Sequence, residues 1–100
     1  MAALTEHRVV MVPAVLAELL SDHQLPQNTK KSLVALVLLP ISDGYWQRAG
    51  ELRARLRAKG LRALLADTLI AQCCIDANVH FITRDHDFKR FRSSQLKLVS

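Results

Sequence analysis

Cysteine is nearly absent from this 100-residue chain, and the two that occur, Cys73 and Cys74, are adjacent. A vicinal pair builds no disulfide framework and lacks the Cys-x-x-Cys or His spacing that closes around zinc. The expected compartment is therefore a reducing cytoplasm, and the thiols are expected to be inert. Glycine and proline are scarce at three each and no low-complexity run interrupts the chain, which excludes a flexible polypeptide and favours a packed globule. No apolar run approaches the ~20 residues a membrane helix needs; Leu33 to Ile41 stops well short even with Pro40 counted. The opening Met1-Ala2-Ala3-Leu4-Thr5-Glu6-His7-Arg8 lacks the basic start and long apolar stretch of a secretory signal. Acids are also in deficit, nine against fourteen Lys and Arg, leaving a net charge of +5 and a pI near 9.8. That balance favours an anionic partner, nucleic acid being the commonest for a small basic domain.

What the chain does have is apolar side chains, half of its residues. A composition and length of this kind predict one domain over residues 1–100 that buries roughly 60 to 65% of its unfolded surface. Arg8 to Val12 is β-branched and apolar on both faces, which suits a buried strand, and Pro13 is placed to open a helix over about 13–22. Asn28-Thr29-Lys30-Lys31 caps a helix carrying Leu33, Leu36 and Val37, and Pro40 stops it. Leu38 to Ile41 is a candidate short strand, followed by turn chemistry at Ser42-Asp43-Gly44. A third helix near Tyr45 to Lys59 sets Trp46, Ala49, Leu52 and Leu56 on one face and ends at Gly60. Asp67 opens or nearly opens a fourth helix through Ala77, with Ile70, Ala71 and Cys74 inward, and Asn78 can end it in the left-handed conformation. Val79 to Thr83 reads as a buried strand, Asp85 as the cap of a short helix holding Phe88 and Phe91, and Leu96 to Val99 as a last strand. Strands alternating with helices predict an α/β fold whose parallel sheet is covered on both faces.

Acids fall at the ends of these elements. Glu18 lies off the centre of the apolar stripe Val15, Leu16, Leu19 and Leu20, Asp67 lies at a helix start, and Asp85 follows a strand. Side chains beyond the carboxyl ends of parallel strands line the crevice where ligands bind. Carboxylates converging there would hold Mg²⁺, a hard ion that takes oxygen ligands and leaves positions open for phosphate. Each acid also has a plainer reading: Asp67, Asp85 and Asp87 as helix caps or surface groups, Glu18 as a solvated helix residue, with Thr83 a simple β-former. Arg48, Arg53, Arg55, Arg57, Lys59 and Arg62 are either a solvated helix face or a track for a phosphate backbone. Trp46 and Phe88 are expected in the core, with stacking on a base as the minority role. None of the four histidines pairs with another at i, i+4 as a metal site on a helix requires.

Three stretches together carry a resemblance: Pro13-Ala14-Val15-Leu16-Ala17-Glu18-Leu19-Leu20, Leu65-Ala66-Asp67-Thr68-Leu69-Ile70-Ala71, and Phe81-Ile82-Thr83-Arg84-Asp85-His86-Asp87-Phe88. In order and spacing they resemble the successive motifs of PIN domains, as in VapC-like toxins. The resemblance implies a three-layer α/β domain with a short parallel sheet flanked by helices. It implies a Mg²⁺- or Mn²⁺-dependent endoribonuclease, paired with a cognate antitoxin, acting on RNA and forming a homodimer. Carried over by position, Glu18, Asp67 and Asp85 match three of the family's metal-binding acids, Asp87 an auxiliary one and Thr83 a polar residue beside the site; Arg84 and Arg62, the latter from the basic run, are the candidates to bind substrate with Thr83. The family places a further strand, ending in an Asp, centrally between the strands that correspond to residues 8–12 and 79–83. The resemblance therefore implies a domain incomplete at its amino terminus, with the gap closed by rearrangement or by a strand from another molecule. Low or absent activity would follow from the missing acid. The alternatives are a catalytically dead fragment that binds an antitoxin or its own copy, and a basic domain that binds RNA without cleaving it.

Overall fold

Local signals fix several of the element boundaries, but the second helix, Gln27–Val34, follows Pro26 and ends before Ala35, so Asn28 does not cap it and Pro40 does not stop it. The elements are β1 (Ala2–Thr5), β2 (Arg8–Val10), α1 (Pro13–Leu20), α2 (Gln27–Val34), α3 (Tyr45–Ala58), α4 (Leu65–Ala77), β3 (His80–Ile82), a 3-10 helix (His86–Ser94) and β4 (Lys97–Val99). They are seen in a computed structural model that describes residues 2–5, 8–83 and 86–99. Pro13 opens α1, where its missing N–H is no loss. Gly44 precedes α3 at φ +81, and a Cβ there would meet the Arg48 guanidinium at 2.7 Å. Asn78 ends α4 at φ 54, the left-handed turn that lets the chain reverse into β3.

The sheet has strand order β2-β1-β3-β4. β1 runs antiparallel to both neighbours, while β3 and β4 are parallel, so β2, β3 and β4 share one direction. Val10, Ala3, Phe81 and Leu98 align in one row across the four strands. Beyond β2 the sheet is extended in parallel by a bridge from Met11 to Leu38. There the Met11 amide donates to Val37 O at 2.8 Å and Leu39 N–H donates to Met11 O at 2.9 Å. The short strand expected at Leu38 to Ile41 is thus reduced to one bridging position.

The sheet departs from expectation in two ways. The place between β2 and β3 is filled by Ala2–Thr5, a segment whose Ala-rich composition carries no strand signal. Pairing on both sides overrides that weak propensity, and the small Ala3 side chain, fully buried, fits under the helices. The second departure concerns coverage. The row of Val10, Ala3 and Phe81 is buried, whereas Val9, His80 and Lys97 in the next row are exposed. One face is packed and the other open, the alternation usual for antiparallel pairing and not the double coverage of an all-parallel sheet.

The packed face carries the core. Phe81 meets Phe88 edge to face at 4.8 Å between ring centroids, and Phe88 meets Phe91 at 5.9 Å, so the 3-10 helix seals the sheet from its aromatic side. α4 contributes Ile70, Ala71, Cys73 and Cys74, and α3 packs against it with Ala49, Leu52 and Leu56, all buried. Each large apolar side chain so removed from water contributes about 1.5 to 3 kcal/mol. Trp46, expected on the inner face, is 66% exposed; Tyr45 takes the inner position and completes the 4-3-4 spacing with Ala49, Leu52 and Leu56. The Tyr45 hydroxyl donates to Leu69 O at 2.6 Å, tying α3 to α4. Burial, with smaller contributions from Cys73, Asp76 and Cys74, pushes that hydroxyl's pKa up to about 12.

Candidate active site

The connection of α4 to β3 sets the geometry. Asn78 and Val79 alone separate the two elements, which pack together and run in opposite directions. The thirteen residues of α4 rise ~20 Å, so the helix begins beyond the carboxyl end of the three-residue β3. Asp67 is the third residue of α4, in its first turn, and is half-buried. The residue at the cap position is Leu64, so Asp67 does not cap the helix, contrary to its plainer sequence reading. An acid in the first turn is still stabilised by the helix dipole, by about 0.3 to 1 kcal/mol. Thr83 follows β3 directly and is buried, at the same edge of the sheet.

Glu18 sits in the second turn of α1, which leaves the carboxyl end of β2 through Met11 and Val12. Its side chain is exposed, and α1 packs against α4. Asp67 and Thr83 therefore lie toward the edge where β3 ends, and Glu18 lies in the second turn of the neighbouring helix, which leaves the end of β2. Arg84 and Asp85 lie outside the described residues, and so does the side chain of Asp87. Among the described residues no group of three His, Cys, Asp or Glu side chains is close enough to hold a metal ion. Arg62 is exposed in the turn before α4, beside a shallow depression of about 350 Å³ that it shares with Arg57 and Leu64. The donor set offered by the candidate residues is all oxygen, from carboxylates and one hydroxyl, which suits Mg²⁺ or Mn²⁺ and not zinc.

The larger depression, about 670 Å³, is elsewhere, between α3, the second half of α4 and the turn at Ser94 and Gln95. It contains a charged network that no sequence motif singles out. Arg48 donates to Asp76 through Nε at 3.0 Å and Nη2 at 2.6 Å, and Gln72 Nε2 and Ser42 Oγ donate to the same carboxylate at 2.8 and 3.2 Å. Burial pushes the Asp76 carboxyl up, but the hydrogen bonds from Arg48, Gln72 and Ser42 and the Arg48 charge together hold it below its ordinary range. The Arg48 guanidinium is raised, first by its hydrogen bond to Asp76. Arg48 thus serves the fold and is withdrawn from the basic run offered to phosphate. Arg53 is half-withdrawn, since its Nε donates to Ala63 O at 2.8 Å and holds the α3–α4 turn. The one available signal for Asp76 was its place in the last turn of a helix, where an acid opposes the dipole unless it is partnered.

Cys73 and Cys74 are buried on the core side of α4. Burial first, with Asp76 adding for Cys73 and Cys73 adding for Cys74, raises their thiols to about 11 and about 12. Neither approaches the reactivity of a catalytic thiol.

No helix among the described residues is long and apolar enough to cross a membrane. No curated protein matches the chain. Among solved structures it is similar to one described as VapBC2 from Rickettsia felis bound to a DNA fragment from their promoter, with 28% sequence identity and a TM-score of 0.68 over 90% of this chain and 72% of that one. The profile of the PIN domain matches residues 1–93, which take in α1, the first turn of α4 and the end of β3. With those elements in the arrangement just described, the chain belongs to the PIN domain family.

Proposed function

We propose that this chain is a metal-dependent endoribonuclease, the toxin of a toxin–antitoxin pair acting in the cytoplasm. The observation that carries the reading is the position of Asp67, at the third residue of α4 and beside the carboxyl end of β3, within a chain whose PIN match spans residues 1–93. Glu18, Asp67 and Asp85, with Asp87 as an auxiliary acid, would hold Mg²⁺ or Mn²⁺. When bound, such an ion neutralises charge on a phosphoryl oxygen and lowers the pKa of a coordinated water. The protein's own part is to position and to bind. The start of α4 would hold Asp67 on a rigid element, the buried Thr83 would support that edge, and Arg62 with Arg84 would bind phosphate oxygens.

The similarity to VapBC2 bound to a promoter DNA fragment supports an antitoxin as partner. A second reading, a binding module that engages an antitoxin or a second copy without cleaving RNA, is favoured by Val34, Val37, Leu38 and Ile41, which are 44 to 68% exposed along the end of α2 and the loop after it. The experiment is RNA cleavage with Mg²⁺, with EDTA, and with Asp67→Asn. Cleavage that needs the metal and falls at least about a hundredfold in the variant supports the nuclease; a variant as active as the parent, at equal thermal stability, overturns Asp67 as a catalytic residue. Absence of cleavage together with a homodimer or an antitoxin complex favours the binding module.

A further inference from the structure

Winding the basic run of α3 into a helix sorts its side chains onto separate stripes. Arg48 turns toward Asp76, and Arg55 and Lys59 line the groove beside α4. Trp46, Gly50, Arg53 and Arg57 follow at intervals of four, three and four residues on a different side. That stripe continues into the depression bordered by Arg57, Arg62 and Leu64, three residues before Asp67.

Trp46 makes an edge-to-face contact with the buried Tyr45, at 5.0 Å and 77°, which steadies the indole while leaving it 66% exposed. Gly50 presents bare backbone, with nothing within 4 Å of where a Cβ would lie. Neither Arg57 nor Arg62 is ion-paired among the described residues, and no acid lies on the stripe. Trp46 to Arg57 spans ~16 Å along the helix axis. An exposed aromatic ring, an unobstructed floor and unpaired guanidinium groups in line are what a single nucleic-acid strand requires. Its bases stack on any aromatic face and its phosphates need cations, whereas a duplex keeps its bases covered. The unpaired Arg57 and Arg62 on the same side favour an anionic strand over a protein partner, whose anchors sit in desolvated pockets.

We propose that this stripe is the track for single-stranded RNA, with a base stacked on Trp46 and phosphates on Arg57 and Arg62, leading the strand to the edge that holds Asp67. It rests on the RNA-cleavage reading and adds which surface, the Trp46 to Arg57 side of α3, carries the strand to the site. Trp46 is the one tryptophan of the chain, so its fluorescence reports the contact directly. The full chain in EDTA, where no cleavage occurs, is titrated with an unstructured oligoribonucleotide and with the same sequence as a duplex. Saturable quenching by the single strand and not by the duplex is expected. Trp46→Ala should weaken binding by about 5- to 150-fold, with Trp46→Phe restoring part of it. Arg57→Ala with Arg62→Ala should lower the slope of log affinity against log salt by about 0.7 for each phosphate that is no longer neutralised.

Binding by mobility shift that leaves Trp46 fluorescence unchanged, or that Trp46→Ala does not weaken, overturns the track. So does a Trp46→Ala variant that alters only the oligomeric mass. If RNA quenches Trp46 but no metal-dependent cleavage is found, the track stands and the nuclease reading falls. Cleavage that depends on Asp67 while Trp46 stays silent gives the reverse.

Discussion

Asp76→Ala tests whether the charged network between α3 and α4 holds the helix hairpin together. The carboxylate is 11% exposed and accepts four hydrogen bonds, two from Arg48 and one each from Gln72 and Ser42. On its removal Ser42 and the 40%-exposed Arg48 side chain can turn to water, but Gln72, 5% exposed, loses the partner of a buried amide. An orphaned buried polar group costs about 1 to 3 kcal/mol. Loss of a fully buried ion pair costs about 3 to 5 kcal/mol, an upper bound for a pair with one wet partner. Asp76→Ala is therefore expected to cost about 2 kcal/mol, a fall in Tm of roughly 8 to 16 °C for a domain of this size. The assay is urea unfolding followed by far-UV circular dichroism. Repeating it with Asp76→Asn across the acid range adds the sign of the proton linkage. Because the folded carboxyl is held below its ordinary value near 3.8, the unfolded chain binds more protons there. The stabilisation is thus complete above that ordinary value and is lost as pH falls through the folded one. The gap between parent and Asp76→Asn should close in acid. A gap that stays constant with pH, or an Asp76→Ala midpoint equal to the parent's, refutes the reasoning.

The two thiols, raised by burial to about 11 and about 12, should be protonated at neutral pH and unreactive. A disulfide reagent such as DTNB is expected to modify them only at the rate of unfolding, and immediate reaction without denaturant would show that α4 does not bury them. Gly50 lies inside α3 with open space where a side chain would begin, so Gly50→Ala should raise stability by about 0.5 to 1 kcal/mol, read as a shift of the urea midpoint. A loss of stability would mean that the helix face there is covered.

Three of the four α-helices were legible because their signals are local, whereas the second begins after Pro26 and ends at Val34, away from the expected cap at Asn28 and stop at Pro40. Pro13, Gly60, Asn78 and the apolar periodicity of α3 and α4 mark starts, stops and faces within a few residues of one another. β1 was not legible, because Ala2–Thr5 becomes a strand through partners at Arg8–Val10 and His80–Ile82, the second nearly eighty positions away. Trp46 misled for a related reason. Helical spacing allows either Tyr45 or Trp46 to lead the buried stripe, and the choice is made by a carbonyl, Leu69 O, that only the folded hairpin presents to the Tyr45 hydroxyl. Of the candidate site, the placing of Asp67 and Thr83 at one edge could be anticipated from the order of α4 and β3. The withdrawal of Arg48 could not, since its partner Asp76 stands twenty-eight positions further on.

The pairing of Ala2 with Ile82, and of Ile82 with Val99, has a mechanical consequence. Neighbouring strands lie about 4.8 Å apart, so the first and last described residues flank the tip of β3 at a separation of roughly 10 Å. Whatever loosens the pairing of Ala2 or Val99 with Ile82 therefore also loosens the backbone that carries Thr83, so a destabilising change in either outer strand is expected to reach the edge proposed to hold Asp67.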